Sequence, residues 1–476
     1  MDSRISARAL TVLLGGWRTS EPAYEALADG VRLLTLDNRI PPLTALPAER
    51  ELATALGVSR TTIAAAYRSL RESGHIRSVR GSGSVTEPLG RPAHARTAVS
   101  DPAAIDLQQA SPAAWPGLPG VLAEAAQAAT SILSRPGYDV VGNEELRRDI
   151  AARYSRAGLA TDPGEILITN GAQSALHLLA MTLIGRGDRV LIETPTYPHA
   201  ADCFRGAGAR LVSVPVTTAS GWELDRTVQA FSRTVPTVAY LMPDFQNPTG
   251  RSMSDEEREV IERAAGRAGT IVIVDETTAE LDIDRRHAPR PFAPEGSGVT
   301  VVRVGSFGKT VWGGLRVGWI RANTDLIRRV VAARFAIELG TPEWEQLVSR
   351  ILLPRLPEII AQRAHVLRAG RDTAVRALRA TLPEWAVPEV DGGVALWVGL
   401  DAPLSGALVM AARSHGLLLS AGPRFSVDGG YEANLRIPFT APVAHMQRGV
   451  EILAAAWAQV RAGSAPVMLE RMDAVV

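Results

Sequence analysis

The chain of 476 residues contains a single lysine, Lys309; subtracting it from the 51 basic residues leaves 50 arginines. It also has one cysteine, Cys203, which excludes an intramolecular disulfide and fits a reducing compartment. The formal net charge is only +1, so any affinity for nucleic acid must come from a local patch rather than a global field. No stretch reaches about 18 uninterrupted apolar residues, which argues against a transmembrane span. The opening "MDSRISARALTVLLGGWRTS" has no apolar core of signal-peptide form, because Arg8 and Arg18 bracket a short one. These absences point to the cytoplasm. The shortage of lysine also singles out one position. Arginine stays protonated at any accessible pH, whereas a lysine amine can lose its proton and attack a carbonyl. If coding bias replaced lysine wherever any cation would serve, Lys309 marks chemistry that arginine cannot do.

What is present divides into unlike blocks. Length alone implies more than one domain. Residues 20–88 are helix-rich with Gly/Ser punctuation near their end, and residues 89–104 carry a Pro/Ala-rich linker without periodicity. From Ile105 the pattern becomes β/α: apolar runs such as "RVLIET", "TVAYLMP", "GTIVIVDE" and "VTVVRVGS" alternate with helical segments such as "SDEEREVIERAAGRAG". That alternation predicts a largely parallel sheet with helices on both faces and ligands beyond the carboxyl ends of its strands.

In "LPAERELATALGVSRTTIAAAYRSLRESGHIRSVRGSGSVT", Leu52, Leu56, Ile63, Tyr67 and Leu70 recur at helical spacing. Gly57 breaks the pattern, Ser59 is a good N-cap for a second helix, and Gly74 a good stop. Two short helices joined by a tight glycine turn make a helix-turn-helix, and "HIRSVRGSGSV" closes a hairpin wing. Arg60, Thr61 and Thr62 fall on the first turn of the second helix, the end that meets base edges, while Arg50 and Arg80 are placed to hold phosphates. The segment from about Ala23 to Thr86 resembles the winged helix-turn-helix of GntR-type bacterial regulators. The resemblance implies DNA contacts at Arg50, Arg60, Thr61, Thr62 and Gly81.

Around Lys309 the "GKT" triplet is not a phosphate loop, since Arg303 stands where that motif needs glycine. Schiff-base chemistry with pyridoxal phosphate fits better. It calls for a carboxylate facing the pyridine nitrogen, a phosphate grip and a face to stack on. Asp275 ends a buried strand, where an unpaired carboxylate needs a cationic partner. Ser306 and Arg316 flank the lysine, "TNGAQSAL" offers backbone N–H groups at a loop-to-helix junction, and Tyr197 follows another strand.

Their order resembles the fold-type I aminotransferases over roughly residues 105–463, carried by "ITNGAQSALHLLAMTLIGRGDRVLIETPTYP", "PDFQNPTG", "IVDE", "SFGKTVWGGLRVGW" and "NLRIPF". The resemblance implies a smaller C-terminal α+β subdomain at about 366–463. Lys309 would be the catalytic lysine that carries the cofactor, and Asp275 would pair with the pyridine nitrogen. Asn247 would contact the phenolic oxygen, and Tyr197 would stack on the ring. Ala172, Gln173, Ser306 and Arg316 would bind phosphate, joined by Tyr138 across a dimer interface. Arg436 would take the carboxylate of an amino compound, and no metal is called for. One departure stands out: Thr277 and Thr278 occupy the positions where the family usually places a tyrosine on the phenolic oxygen. The two blocks together resemble MocR-type transcription regulators. That implies a homodimer, paired head-to-tail with each reader on its partner's large domain, that binds double-stranded promoter DNA within the nucleoid and senses pyridoxal phosphate or an amino-compound effector. An active aminotransferase with an accessory reader is the alternative; sustained turnover distinguishes it.

Overall fold

The computed structural model describes residues 3–18, 22–37, 39–79, 83–87, 104–134, 136–287 and 289–462. Its N-terminal unit contains four helices: α1 (Ala7–Leu14), α2 (Ala23–Leu36), α3 (Glu49–Leu56) and α4 (Arg60–Glu72). α3 ends on Gly57 in the left-handed region, and α4 begins at Ser59, whose hydroxyl accepts from the Thr62 amide at 3.1 Å. The strands Ile76–Val79 and Gly83–Thr86 form the antiparallel wing behind α4. The unit reaches further toward the N-terminus than residue 20. Leu10 and Leu14 of α1 bury against Leu27 and Val31 of α2, and Ser3–Arg4 pairs with Thr44–Ala45. The Arg80 and Gly81 positions lie outside the described residues.

The large domain is an eight-stranded sheet. Its central strands, Arg189–Thr194, Val238–Leu241, Ile271–Asp275 and Val301–Ser306, run parallel. Gly318–Arg321 is antiparallel to the last of these and lies between it and Ile166–Thr169. Alternation does the packing, because successive side chains of a strand face opposite ways. Tyr240, Ile273, Val302 and Val304 face one helical layer, while Ala239, Leu241, Val272 and Val274 face the other. In the covering helix Asp255–Ala268, Ser254 and Glu257 form the reciprocal capping box that the run "SDEE" encodes.

A smaller C-terminal subdomain holds the sheet of Ala395–Gly399, Asn434–Pro438 and Ser420–Ala421 among the helices Leu356–Thr381, Ser405–Ser414 and Val443–Ala462. Ile105 and Leu107, at the start of the aminotransferase-like block, join this C-terminal core, and Ile105–Asp106 pairs in parallel with Leu417–Leu418. The reader rests on the same subdomain. Leu33 of α2 packs against its core, and a Cβ added at Gly406 would lie 3.3 Å from the Leu33 side chain. Within this single chain the reader therefore packs on its own C-terminal subdomain; the resemblance implied the partner's large domain.

Candidate functional site

Beyond the carboxyl ends of the central strands lies a cavity of about 550 Å³. Strand ends deliver its polar groups, as open parallel sheets require. Asp275 is the last residue of its strand, Lys309 follows Ser306 at the end of the next, and Tyr197 follows Thr194. Ala172 and Gln173 open the helix Ala172–Leu183, and Asn247 comes from the loop after Val238–Leu241. All of them line the cavity, together with Arg316 and Arg436.

Lys309 is half-buried in the cavity wall. Burial pushes its ammonium down to about 8, against the pull of Asp275 and with the push of Arg436. A larger fraction of its amine is thus unprotonated near neutral pH than for a surface lysine. Asp275 is 2% exposed, and neutral donors hold it: the Tyr240 hydroxyl donates to Oδ2 at 2.6 Å and the Thr277 amide to Oδ1 at 2.9 Å. Tyr240 looked like one more apolar position of an alternating strand, so sequence reasoning missed its hydroxyl.

The phosphate candidates converge on the start of the helix Ala172–Leu183. Arg316 adopts a left-handed conformation, φ 51°, and its guanidinium donates to the Asn170 carbonyl at 2.9 Å. It lies so close over Gly171 that a Cβ there would sit 2.9 Å from Nη2, and Gly171 itself has φ 81°. The Ser306 hydroxyl accepts from the Gly308 amide at 3.0 Å. Gln173 donates to the Cys203 sulfur at 3.1 Å, while its Oε1 is buried without a partner. Tyr197 lines the cavity, and burial pushes its hydroxyl up to about 12. Asn247 is 2% exposed, with Oδ1 unpartnered.

Arg436 sits mid-strand, 6% exposed, with its guanidinium 4.6 Å over the Phe425 ring and donating to the Gln108 carbonyl. Its Nε is buried without a partner, and burial lowers its pKa to about 10. A buried guanidinium with unused donors is a receptor for an anion. Tyr138 is 75% exposed and does not reach the cavity within this chain. Of the two threonines at the tyrosine position, Thr277 lines the cavity, whereas Thr278 turns away and donates to the Asp244 carbonyl at 2.9 Å. Arg424, Asp37 and Gln108 also line the cavity, and nothing in their local sequence had marked them.

On the reader, Arg50 and Arg60 line one groove with Arg71 and Ser84, between α3, α4 and the wing. The Arg60 side chain is 74% exposed, 3.3 Å from Glu49. Thr61 and Thr62 both reach the Ser59 hydroxyl, at 2.7 and 2.8 Å.

Residues 117–453 match aminotransferase class I and II, and residues 23–85 match the bacterial regulatory proteins of the gntR family. The chain belongs to the aminotransferase class I and II family. With the GntR reader ahead of that domain, it has the MocR-type architecture. An uncharacterized HTH-type transcriptional regulator, YdcR of Escherichia coli, is 27% identical over 449 residues, 87% of this chain and 94% of that protein. A 2-aminoadipate transaminase of Thermus thermophilus is 31% identical over 326 residues, 66% of this chain and 81% of the enzyme. The crystal structure of LysN, an α-aminoadipate aminotransferase of the same organism complexed with N-(5'-phosphopyridoxyl)-L-leucine, superposes with a TM-score of 0.69 at 29% identity. It covers 75% of this chain and 93% of that one. Class I and II aminotransferases are pyridoxal-phosphate-dependent. The MocR-type cavity suits that group: it sets a neutral-donor-held carboxylate, a half-buried lysine and the unsatisfied polar atoms of Gln173, Asn247 and Arg436 around one space. Among the described residues no helix is long and apolar enough to cross a membrane, and no cluster of metal ligands occurs.

Proposed function

We propose that this regulator binds double-stranded promoter DNA through its N-terminal reader and senses pyridoxal phosphate, or an amino compound reacting with it, through Lys309. One observation carries the reading: a single cavity presents a half-buried lysine and a buried, unsatisfied arginine, Arg436, on a chain that also bears a DNA reader. An amino acid offers the matching pair, an amine and a carboxylate. When bound, the cofactor supplies an aldehyde carbon at which one amine can replace another with no change in oxidation state. The chain's own groups do the rest. Asp275 would face the ring nitrogen, Asn247 the phenolic oxygen, and Tyr197 the ring face. Ser306, Arg316 and the first amides of the helix at Ala172 and Gln173 would hold the phosphate.

Effector exchange at Lys309 alters the cavity wall, and a difference in affinity between reader arrangements makes that a switch. The regulator acts in the cytoplasm as a homodimer, with Tyr138 reaching the partner's phosphate site. The exposure of Tyr138, Phe335, Ile337 and Leu339 supports such a pairing surface. Two readers on one dimer favour paired half-sites.

The test is absorbance of the purified protein before and after borohydride reduction, followed by peptide mapping. A visible band abolished by reduction, with the label on the Lys309 peptide, is expected. Cofactor found elsewhere or not at all overturns the reading. A transaminase reading has the 31% identity to a transaminase in its favour. It requires steady conversion of an amino donor and a 2-oxo acid, and Thr277 is too short to supply the tyrosine hydroxyl. A single exchange without sustained turnover is expected.

A further inference from the structure

The cavity that holds Lys309 is walled in part by the reader itself. Leu36, the last residue of α2, and Asp37, its C-cap, both line it. Facing them is Arg424, in the short turn Gly422–Phe425. That turn is rigidly placed. A Cβ at Gly422 would meet the carbonyl oxygens of Tyr431 and Asn434 at 2.1 and 2.4 Å, and the Phe425 carbonyl accepts from the Thr196 amide at 3.0 Å. Phe425 is also the ring on which Arg436 stacks, so Arg424 and Arg436 belong to one fixed patch. The charge of Arg424 is among the causes that lower Arg436, which marks their proximity.

The Arg424 side chain is 12% exposed and has one hydrogen-bonded acid, Asp202, at 3.0 Å. Asp202 is itself divided, with Arg205 at 3.8 Å and His199 at 3.7 Å. Five N–H donors on a guanidinium leave Arg424 ample unused capacity. Asp37 feels the charges of Arg424, Arg39 and Arg413, yet its Oδ2 is buried without a hydrogen bond. Burial outweighs those arginines and pushes Asp37 up to about 6. The reader thus parks a poorly satisfied carboxylate beside an incompletely satisfied guanidinium, at the wall of the effector site.

We propose that Arg424 reads a second, distal acid group on the effector, and that this group competes with Asp37 and releases α2 from the cavity wall. The effector class is an amino acid whose side chain carries a carboxylate. This rests on the reading of Lys309 and Arg436 as the site of an amino compound. A direct charge-assisted hydrogen bond to Arg424 outcompetes an acid that acts on it through charge alone. With Asp202 already bound to Arg424, the effector's acid is a third carboxylate at one guanidinium; inside a low-dielectric wall it repels Asp37, so the bound acid and the docked reader exclude one another. That exclusion is the differential contact that coupling between two sites requires.

The test uses the full chain with its cofactor. L-Aspartate, L-glutamate and L-2-aminoadipate are titrated against their chain-matched apolar partners L-2-aminobutyrate, L-norvaline and L-norleucine. Cofactor absorbance gives half-saturation, and hydrogen exchange reports on the Ala23–Leu36 amides. At least one acid is expected to half-saturate at a concentration about tenfold or more below its apolar match, the scale of one charge-assisted hydrogen bond. Only that acid should speed exchange in α2. Arg424→Gln should bring the acid-to-apolar ratio to about one. Asp37→Asn should keep the preference, tighten acid binding a few-fold, and abolish the exchange response. Ratios near one for all three pairs, or a ratio that survives in Arg424→Gln, overturn the proposal while leaving the Lys309 reading intact. If Arg424→Gln does not fold, an undiminished exchange response in Asp37→Asn overturns it. If no amino acid perturbs the cofactor band, the Lys309 reading fails and takes this proposal with it.

Discussion

Lys309 illustrates how burial sets chemistry at one residue. With its ammonium lowered to about 8, roughly a tenth of the amine is free at pH 7 and most of it at pH 9. The rate of cofactor attachment to stripped protein should therefore rise with pH and level off above about 8. Lys309→Arg should show no attachment at any pH, since a guanidinium stays charged; absorbance against pH checks both. Glu193 behaves oppositely for stability. It accepts from Trp222 at 2.9 Å and from the Met242 amide, yet burial pushes it up to about 7. A carboxyl whose folded pKa is raised contributes stability in full below its ordinary 4.5, and that contribution is lost as pH climbs through about 7. Thermal melts from pH 4.5 to 7.5 should fall less steeply in Glu193→Gln than in the parent. At this scale the sequence was readable where a residue broke a local rule. A lone lysine among arginines and an aspartate closing an apolar strand both declare themselves. Arg424 and Asp37 do not, because one more arginine and one more acidic residue after a helix resemble dozens of solvated ones. Tyr240 was hidden for another reason: alternation predicts that it is buried but not that its hydroxyl meets Asp275.

Elements carry their own tests. The Ser59 cap accepts from the Thr62 amide at the start of α4, so Ser59→Ala should cost about 1 kcal/mol, read from denaturant midpoints. Gly318 is more demanding. A Cβ there would meet the backbone of Gly171, Gly305 and Ala172 at 2.7, 2.8 and 2.9 Å. Backbone atoms at three sides cannot move aside as a flexible side chain can. Gly318→Ala should destabilise the protein by about 1–3 kcal/mol and loosen the junction beneath Arg316. The strands and helices that surround the cavity were legible because their patterns, an unbroken apolar run in "TIVIVDE" buried on both faces and a period near four in "SDEEREVIERAAGRAG", match what they bury. α1 was not, since eight residues, Arg8 among them, give too short a window for a helical period; its leucines become meaningful only once α2 lies beside them.

On the scale of the whole molecule, the reader's charges should act through their placement. Arg60→Ala should relax sequence preference on DNA, and Arg50→Ala should weaken binding evenly across sequences and flatten its salt dependence. Footprinting of DNA upstream of the gene at two ionic strengths checks both; equal binding by parent and variants would move the contacts elsewhere. The division into a reader and a β/α body was visible in composition, but the closure of the body on itself was not. Ile105 and Leu107 enter the chain first and bury in a core built some 300 positions later, with Leu417 as neighbour. Chain order and spatial order therefore disagree at the seam. A ribosome releasing this protein exposes that two-residue strand long before its mate exists, so the C-terminal core closes only when synthesis is nearly done. A fragment cut just after Leu107 would lose that short strand of the core while keeping every residue of the cofactor cavity named here except those contributed by the reader.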